Sequence, residues 1–456
     1  MKSTSGTKKA YRTKKERKME RAFLALVSTG FFLTDPLCAS TITPTTNHGA
    51  GYTTSVAESG GVYTVTPGSG MFNNGNAFNR FEKFTLDQGH IANMKFENGG
   101  QTADTLFNFV RDRIDVNGTV NALKGGTIGG HLLFISPKGM TVGASGVINA
   151  GRFTGIAADE DFFKDFISLE QPWGSSNFRN LEAGQIPLNR EGTITVQGKI
   201  HAPGGIRLAA SDIDVKAGAE LDTVTLDFSN LVNATAANNT VLDWGVANAD
   251  LTLTRSGSGD IELRAIGTTT GSVFDTVKKD SASADITVAG TVRSFGSTSL
   301  RATASNGVYD QASSMTKSAD SFSGGVSYAD VKSRVNVAST AKIISSGDVT
   351  ISSEALTLVD GTTTETVVNY ALEIVGMLSP FDLDAAVAVI SSDASVTLDG
   401  AVTAEKSLDV SAKSSVEVAK GAEATMINMI AYDQKGLGNV PALAATVGVV
   451  DSAASV

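Results

Sequence analysis

The residue types that most often build catalytic metal centres are few in this chain of 456 residues, and they stand far apart. Its only cysteine is Cys38, and its four histidines are His48, His90, His131 and His201. A zinc site usually takes two ligands from one short motif, such as His-Glu-x-x-His or a cysteine pair, and neither motif occurs here. We therefore expect no metal ion and no cofactor.

One cluster of ionisable residues could support catalysis, namely Asp112 and Asp115 on either side of Arg113. Enzymes that cleave polysaccharides use paired carboxylates, or a basic side chain that abstracts a proton. Residues three apart in a strand point to opposite faces, so we expect a solvated edge here and not an active site. The glycine-rich segment Gly125–Gly130 lacks the Gly-Lys-Ser/Thr ending of a phosphate-binding loop, and we interpret it as a turn.

The charge of the chain argues against nucleic acid as a partner. Residues 40–456 hold 28 basic and 44 acidic side chains, a net charge of −16, whereas residues 1–39 hold nine basic and three acidic ones. Binding to phosphates requires clustered Lys and Arg. A chain this acidic after residue 39 predicts no nucleic-acid binding.

Residues 1–39 have the layout of a secretory signal peptide with an extended basic region. The segment Ala22–Leu33 contains twelve residues without a charge, and small residues follow up to Ala39. We predict that the Sec machinery takes this segment and that cleavage separates Ala39 from Ser40. Twelve apolar residues are too few to span a bilayer, which makes a retained anchor the weaker alternative. Cleavage would leave a chain without cysteine, as expected for export in an unfolded state or for a repetitive fold that needs no disulfide.

From about residue 190 onward, apolar residues alternate with polar ones, which indicates strands. Three segments, 193–208, 285–300 and 395–410, share one pattern of strand, turn and strand. Their apolar positions coincide when they are superposed, as at Ile194, Ile286 and Val396. Such internal repetition is typical of a solenoid.

A longer period of about sixty residues relates Val326–Val335, Val387–Val396 and Val447–Val456. Sixty residues divide into three coils of about twenty, so we predict an all-β chain folded as a right-handed parallel β-helix. Coils of that length would number about twenty and form a rod about 100 Å long. The chain stops within a repeat, so we expect it to be the N-terminal piece of a longer protein.

The distribution of phenylalanine divides the chain into two regions. Thirteen of the 21 Phe lie between Phe72 and Phe178, and only two occur after residue 300. We therefore predict a Phe-rich secretion or capping region over residues 40–230 and a repeat region over 231–456, with the boundary near Asn230–Thr240. The segment Asp159–Leu169 has acidic residues at its start and Phe at helical spacing, which predicts a short helix against the flank.

Between residues 108 and 156, a hydrophobic strand leads into the turn Ser136-Pro137-Lys138-Gly139-Met140, which is followed by a strand that leads to Asn149. This segment resembles the secretion domain of two-partner secretion exoproteins of the filamentous haemagglutinin type. That family carries a hydrophobic strand, Asn-Pro-Asn-Gly-Ile, and a second hydrophobic strand. The family's early Asn-x-Phe-x-x-Phe strand is matched at Asn79, Phe81 and Phe84, and its Asn-Gly coil at Asn117 and Gly118. Taken together, these motifs are most similar to those of leukotoxin-like filamentous adhesins of anaerobic bacteria.

This resemblance implies a secreted or surface-exposed adhesin of a Gram-negative-type bacterium, without enzymatic activity. Its partners would be an outer-membrane pore with periplasmic receptor domains and an unknown receptor on host or neighbouring cells. On the residues alone, Pro137 and Gly139 also fit a purely structural turn between two buried strands. A leukocyte toxin, a β-helical polysaccharide-active enzyme and an autotransporter passenger are the alternative functions.

Overall fold

The computed structural model describes residues 40–224, 257–314, 321–370, 382–429 and 442–456, apart from 47, 50, 270, 271, 275 and 276. The described residues belong to one compact unit, Ser40–Val456, and fold as a parallel β-helix, as the sequence predicts. The predicted boundary at Asn230–Thr240 lies outside the described residues.

Each coil of the solenoid contributes strands to three faces. The first face begins with part of β5 (Asn76–Leu86) and continues through β9 (Thr105–Val110), β13 (His131–Ser136), β16 (Arg152–Ala157), β19 (Ile206–Ala210), β22 (Ile261–Thr269), β26 (Thr298–Ser314), β29 (Val349–Tyr370) and β32 (Leu408–Met429). The second face also starts from β5 and continues through β10 (Ile114–Val116), β14 (Gly139–Val142), β17 (Thr193–Val196), β20 (Asp212–Val215), β24 (Val277–Val288), β27 (Ser321–Val337), β30 (Asp382–Leu398) and β33 (Ala442–Ser455).

The third face is a separate parallel sheet. It contains β3 (Val62–Thr66), β6 (Ile91–Lys95), β11 (Thr119–Lys124), β15 (Val147–Asn149), β18 (Lys199–His201), β21 (Glu220–Asp222), β25 (Thr291–Ser294), β28 (Lys342–Ser345) and β31 (Ala401–Ala404). Five short strands pair antiparallel with strands of these faces: β1 (Thr41–Pro44), β2 (Ser55–Ser59), β4 (Phe72–Asn73), β12 (Thr127–Ile128) and β23 (Ser272–Phe274). Two more, β7 (Glu97–Asn98) and β8 (Gln101–Thr102), pair antiparallel with each other. At the N-terminal end, β1 runs along β5 and β2 forms a hairpin with β3.

The register of the second face confirms the repeats found in the sequence. The superposed residues lie on one ladder, which runs Ile194, Ile213, Ile286, Val335, Val396. Further coils, at Ile213 and Val335, separate the three copies, so the copies are equivalent rungs but not adjacent ones. All five side chains are buried in the interior.

The prediction of three coils per sixty residues is wrong. Val326 pairs with Val387, and Val387 pairs with Val447, so sixty residues make a single coil. The reason is strand length: β26, β27 and β30 contain 17 residues each, and β29 and β32 contain 22. An alternating pattern does not reveal that one strand continues so far. Within the described residues, the second face has nine rungs, which at about 4.8 Å apiece gives a solenoid roughly 40 Å long instead of 100 Å.

Glycine is required at alternate corners between the second and third faces, because successive coils approach closely there. A Cβ atom on Gly118 would lie 2.3 Å from the carbonyl oxygen of His90, and one on Gly198 would lie 2.1 Å from that of Gly146. Both distances are far shorter than a van der Waals contact. These two corners consist of two residues with glycine second, whereas the corners between them along the solenoid consist of four residues, as at 143–146 and 216–219.

The interior changes its composition along the solenoid. Large aromatic side chains fill the early coils, where Phe84 packs edge-on against Phe81 and Phe134 with ring centroids 5.5 and 5.0 Å apart. In the later coils, the buried apolar residues are Val, Ile, Leu and Ala, beside buried polar residues such as Ser333 and Ser353. Each fully buried side chain of this kind contributes roughly 1.5–3 kcal/mol.

The outer side of the first face is also apolar in the early coils, and a covering segment buries it. This segment contains α1 (Glu160–Ser168), a 3₁₀ turn (Pro172–Gly174) and α2 (Phe178–Glu182). The Phe166 ring stacks on Phe109 with a centroid distance of 5.1 Å and an interplanar angle of 10°. The Asp159 side chain caps α1 by accepting hydrogen bonds from the backbone N–H groups of Asp161 and Phe162. The helix predicted over Asp159–Leu169 is thus confirmed, with its ends one residue inside those limits.

Candidate functional site: the Ser136–Met140 turn

The turn that carries the family resemblance connects β13 on the first face to β14 on the second face. The Ser136 hydroxyl is completely buried; it donates to the Asp112 carbonyl oxygen at 2.8 Å and accepts from the Lys138 N–H at 3.1 Å. Pro137 is buried as well. The second bond is a serine turn, which fixes the local backbone, while the first ties this corner to the preceding coil.

Gly139 is the residue of this turn that cannot be replaced without strain. Its φ angle is +78°, in the left-handed region that favours glycine. A Cβ atom there would lie 1.9 Å from the carbonyl oxygen of Thr193 in the next coil. The glycine therefore serves both the conformation of the turn and the stacking of the coils.

Lys138 is the exposed residue of the turn. Its Nζ atom lies 2.9 Å from Oδ1 of Asp112, and both side chains are about half exposed to solvent. Hydrogen bonds from Lys138 and from the backbone N–H of Arg113 lower the pKa of Asp112 below its ordinary value. Asp112 is thus a stable carboxylate, which suits an ion pair better than a general acid.

Arg113 connects the turn to two further strands. Its Nε atom donates to the Thr141 hydroxyl in β14, and its Nη1 atom to the Thr193 hydroxyl in β17, both at 2.9 Å. The guanidinium also donates to the carbonyl oxygens of Lys138 and Met140, at 3.2 and 3.3 Å. One side chain therefore bonds to two successive coils of the second face.

The sequence-based picture of Asp112 and Asp115 on opposite faces of one strand is wrong, because Asp112 precedes β10 and lies in a bend. Asp115 Oδ1 lies 4.0 Å from Nε of Arg113. Burial raises the pKa of Asp115, and the Arg113 charge opposes that rise. Both carboxylates therefore lie beside basic side chains that stabilise the coil.

Asn149 belongs to a column of buried asparagines on the third face, in register with Asn93 and Asn121. The Asn149 amide donates to Asn121 Oδ1 at 3.2 Å, and the Asn121 amide donates to Asn93 Oδ1 at 3.1 Å. Sequence reasoning missed Asn93 and Asn121. Their spacing of 28 residues from one to the next was the signal that could have found them.

The early strand motif is interior as well. Asn79 is fully buried and donates to Asn108 Oδ1 at 3.0 Å, while Phe81 and Phe84 are fully buried in the core. Asn117 is partly buried, and Gly143 stands so close that a Cβ on it would meet the Asn117 side-chain oxygen at 1.8 Å. Of the eleven residues that carry the resemblance, nine are buried, Asn117 is intermediate and Lys138 is exposed.

No family model matches this chain, and no curated protein matches it. The arrangement of residues in the fold must therefore supply the argument for function.

Ser40, the residue predicted to follow the cleavage site, is bound into the fold, whereas Ala39 lies outside the described residues. The Asp87 N–H donates to the Ser40 hydroxyl at 2.8 Å, and the Tyr63 hydroxyl donates to the Ser40 carbonyl oxygen at 3.2 Å. The ordered contacts of the β-helix thus include the residue at which the predicted mature chain would begin.

The described part of the chain holds no group of three or more His, Cys, Asp or Glu side chains that could bind a metal ion. Burial and the charges of Arg152 and Arg207 lower the pKa of His131 to about 3, so this imidazole is neutral at physiological pH. Nor do these described segments contain a helix of the length and hydrophobicity that a membrane span requires.

Proposed function

We propose that this protein is a secreted filamentous adhesin that leaves the cell by the two-partner route and acts without enzymatic chemistry. The proposal rests on a parallel β-helix, on a chain that is cysteine-free after residue 39, and on the signal-like layout of residues 1–39. It extends the resemblance to two-partner secretion exoproteins, and within that group to leukotoxin-like adhesins.

The observation that carries this proposal is the Ser136–Met140 turn. A Ser-Pro-x-Gly-Met segment joins two buried strands at the position where the family has Asn-Pro-Asn-Gly-Ile. Nine of the eleven resembling residues are buried, so the resemblance concerns mainly how the coils are built. Lys138 is the side chain through which a partner can contact this turn directly, because it alone among the eleven is exposed.

The proposed route has two steps. The Sec machinery takes residues 1–39 across the inner membrane, and the periplasmic receptor domains of an outer-membrane pore then bind residues 40–230. The protein ends at the cell surface or in the medium. At that location, the outward side chains of the solenoid bind a receptor on host or neighbouring cells.

The experiment that tests this route expresses the full chain in a Gram-negative host with and without its cognate outer-membrane pore. We expect the protein in the medium or on the surface when the pore is present, and in the periplasm when it is absent. Equal amounts in the medium under both conditions would overturn the two-partner route.

A second experiment separates adhesion from the alternative activities. The purified secreted protein should bind to host or bacterial cells without lysing leukocytes and without cleaving uronate polymers. Lysis of leukocytes at concentrations that saturate binding would instead identify a toxin. Release of unsaturated or shortened uronates would identify an enzyme.

A further inference from the structure

A cleft lies where the covering segment ends against the first face of the solenoid. Its volume is about 490 Å³, and residues 184–188 form one wall. Three arginines from separate parts of the chain line it: Arg190, Arg207 in β19 and Arg264 in β22. Three guanidinium groups around one cleft are notable in a region whose net charge is −16.

The register of the strands explains the floor of the cleft. Ile156, Ala209 and Arg264 are neighbours across three adjacent strands, and Arg207 precedes Ala209 by two residues on the same face. Diagonal neighbours of this kind are about 7–8 Å apart, a distance that one carboxylate-bearing ligand can bridge. The small Ala209 side chain leaves space between the two arginines, and Ile156 with Ile266 supplies an apolar surface.

Of the three arginines that line the cleft, Arg264 is the one whose charge no described acidic side chain balances. Asp159 also lines it, but its carboxylate caps α1. Glu262 lies 3.4 Å from the Arg207 Nε atom, yet this nitrogen is buried and makes no hydrogen bond. Arg264 is exposed and forms neither a hydrogen bond nor an ion pair with any residue that the structure describes. The pKa of nearby His131, which burial lowers first, is lowered further by Arg152 and Arg207, as a positive local potential requires.

The floor of the cleft narrows the class of ligand. The strands β16, β19, β22 and β26 pair with one another, so their backbone groups are engaged in the sheet and cannot bind a peptide strand by edge addition. Recognition here must use side chains: guanidinium groups for carboxylates, and aliphatic side chains for a compact apolar surface. A cleft of this volume suits a ligand of one or two rings.

We propose that this cleft binds an acidic sugar, with the sugar carboxylate between Arg207 and Arg264 and the C–H face of the ring on Ile156 and Ile266. This inference rests on the proposed adhesin function for its biological meaning, since it names the class of surface glycan that the adhesin would hold. The binding itself depends only on the cleft.

The test measures binding of methyl glucuronide and of methyl glucoside, which lacks the carboxylate, to the purified full chain by titration calorimetry or ligand-observed NMR. We expect a dissociation constant on the order of 1 mM for the glucuronide, as for a good ligand of this size, and much weaker binding of the glucoside. N-acetylneuraminic acid extends the test to a second carboxylated sugar.

Two variants form a matched pair for this test. Arg264→Gln removes an exposed guanidinium from the cleft, and Arg301→Gln removes the exposed guanidinium directly beside it on the next strand, outside the cleft lining. We expect Arg264→Gln to weaken glucuronide binding about tenfold, and Arg301→Gln to change it less than twofold. Both variants should melt like the wild type, because both side chains are exposed.

Several outcomes would overturn the inference: no detectable glucuronide binding, equal binding of the glucoside, equal effects of the two substitutions, or tighter binding of a poly-glutamate peptide than of the sugars. The experiments distinguish a failure of the proposed adhesin function from a failure of the proposed sugar site. A protein that binds cells but not glucuronide remains an adhesin without this site, whereas one that binds glucuronide but not cells retains the site without the adhesin function.

Discussion

One ladder of the first face passes through both regions of the molecule, and it shows how they differ. From β9 onward, after the buried Arg80 of β5, the outer side of this ladder reads Phe109, Ile135, Ile156, Ala209, Arg264, Arg301, Ser352, Ser411. The first four residues are buried, and the arginines that follow are exposed. The covering segment lies on the apolar part of the ladder, and its last residues line the cleft where the ladder becomes polar. Among the described residues, the early coils are therefore built from two large cores, and the later coils from one large core with a small separate cluster at Ala329 and Ile390.

This difference has a consequence for stability. An outward residue of an early coil is a core residue, whereas its equivalent in a later coil is a surface residue. The sequence carries a sign of this difference: β13, which is covered on both sides, is a nearly continuous apolar run, whereas strands with one side in water alternate apolar and polar residues. The largest predicted effects therefore concern the second core.

Phe109→Ala should destabilise the protein by about 3–5 kcal/mol, because it removes a fully buried ring that stacks on Phe166 and contacts the covering segment. The matched control is Ser352→Ala on the same ladder, where a change below about 0.5 kcal/mol is expected. Denaturant unfolding measures both variants. Similar losses for the two would show that the covering segment does not form a second core.

Gly139→Ala should cost about 2–4 kcal/mol, because the new Cβ meets the Thr193 carbonyl oxygen in addition to the left-handed strain. Gly125→Ala is the control, since its φ is +62° and no heavy atom lies within 4 Å of the added Cβ. That variant should lose only about 1 kcal/mol. Equal losses would mean that coil stacking does not require glycine at residue 139.

Acidification should destabilise the fold through His131. Its folded pKa of about 3 lies below the unfolded value of 6.5, so its contribution is complete above pH 6.5 and is lost as the pH falls toward 3. Between pH 7 and pH 5 this amounts to about 2 kcal/mol at 1.4 kcal/mol per pH unit. His131→Gln should remove this component of the pH dependence. An unchanged slope in the variant would contradict an imidazole that is neutral in the folded protein.

Arg113→Lys should cost about 1–2 kcal/mol, because an ammonium group cannot keep hydrogen bonds to both Thr141 and Thr193. The control is Arg111→Lys, whose partner Glu82 is equally exposed at 44%. Exposed pairs of this kind contribute little, so a change below about 0.5 kcal/mol is expected. Thermal melts compare the two. An equally large loss of stability in Arg111→Lys would contradict the role of Arg113 in connecting two coils.

Much of the fold could be predicted from short-range patterns. The alternation of apolar and polar residues predicted the strands, and superposition of the repeats placed Ile194, Ile286 and Val396 on one ladder. The length of β29 and β32 could not be predicted, because alternation continues unchanged whether a strand bends into a new face or not. The error in the number of coils has two further sources: the early coils take 28 residues each, and the covering segment lengthens the coil between Asn149 and His201 to 52 residues.

Only part of the candidate site, namely the turn itself, could be predicted from the sequence. The turn over Ser136–Met140 follows from the local chemistry of proline and glycine. Arg113, which fixes that turn, bonds to residues 28 and 80 positions away, and no local pattern predicts such contacts. The cleft arginines come from a loop and two strands, and only the three-dimensional register brings Arg207 and Arg264 together.

We propose that the early coils carry the export signal and that the later coils are its cargo. Two exposed lysines test it directly, because each forms one ion pair of 2.9 Å and their side chains are 62% and 64% exposed: Lys138 with Asp112, and Lys413 with Glu354. The measurement is the fraction of full-length protein secreted through the cognate pore by Lys138→Glu and Lys413→Glu, with melting temperatures as the check on folding. We expect secretion of Lys138→Glu to fall at least several-fold while Lys413→Glu is secreted like the wild type. Equal secretion of the two variants would contradict the claim.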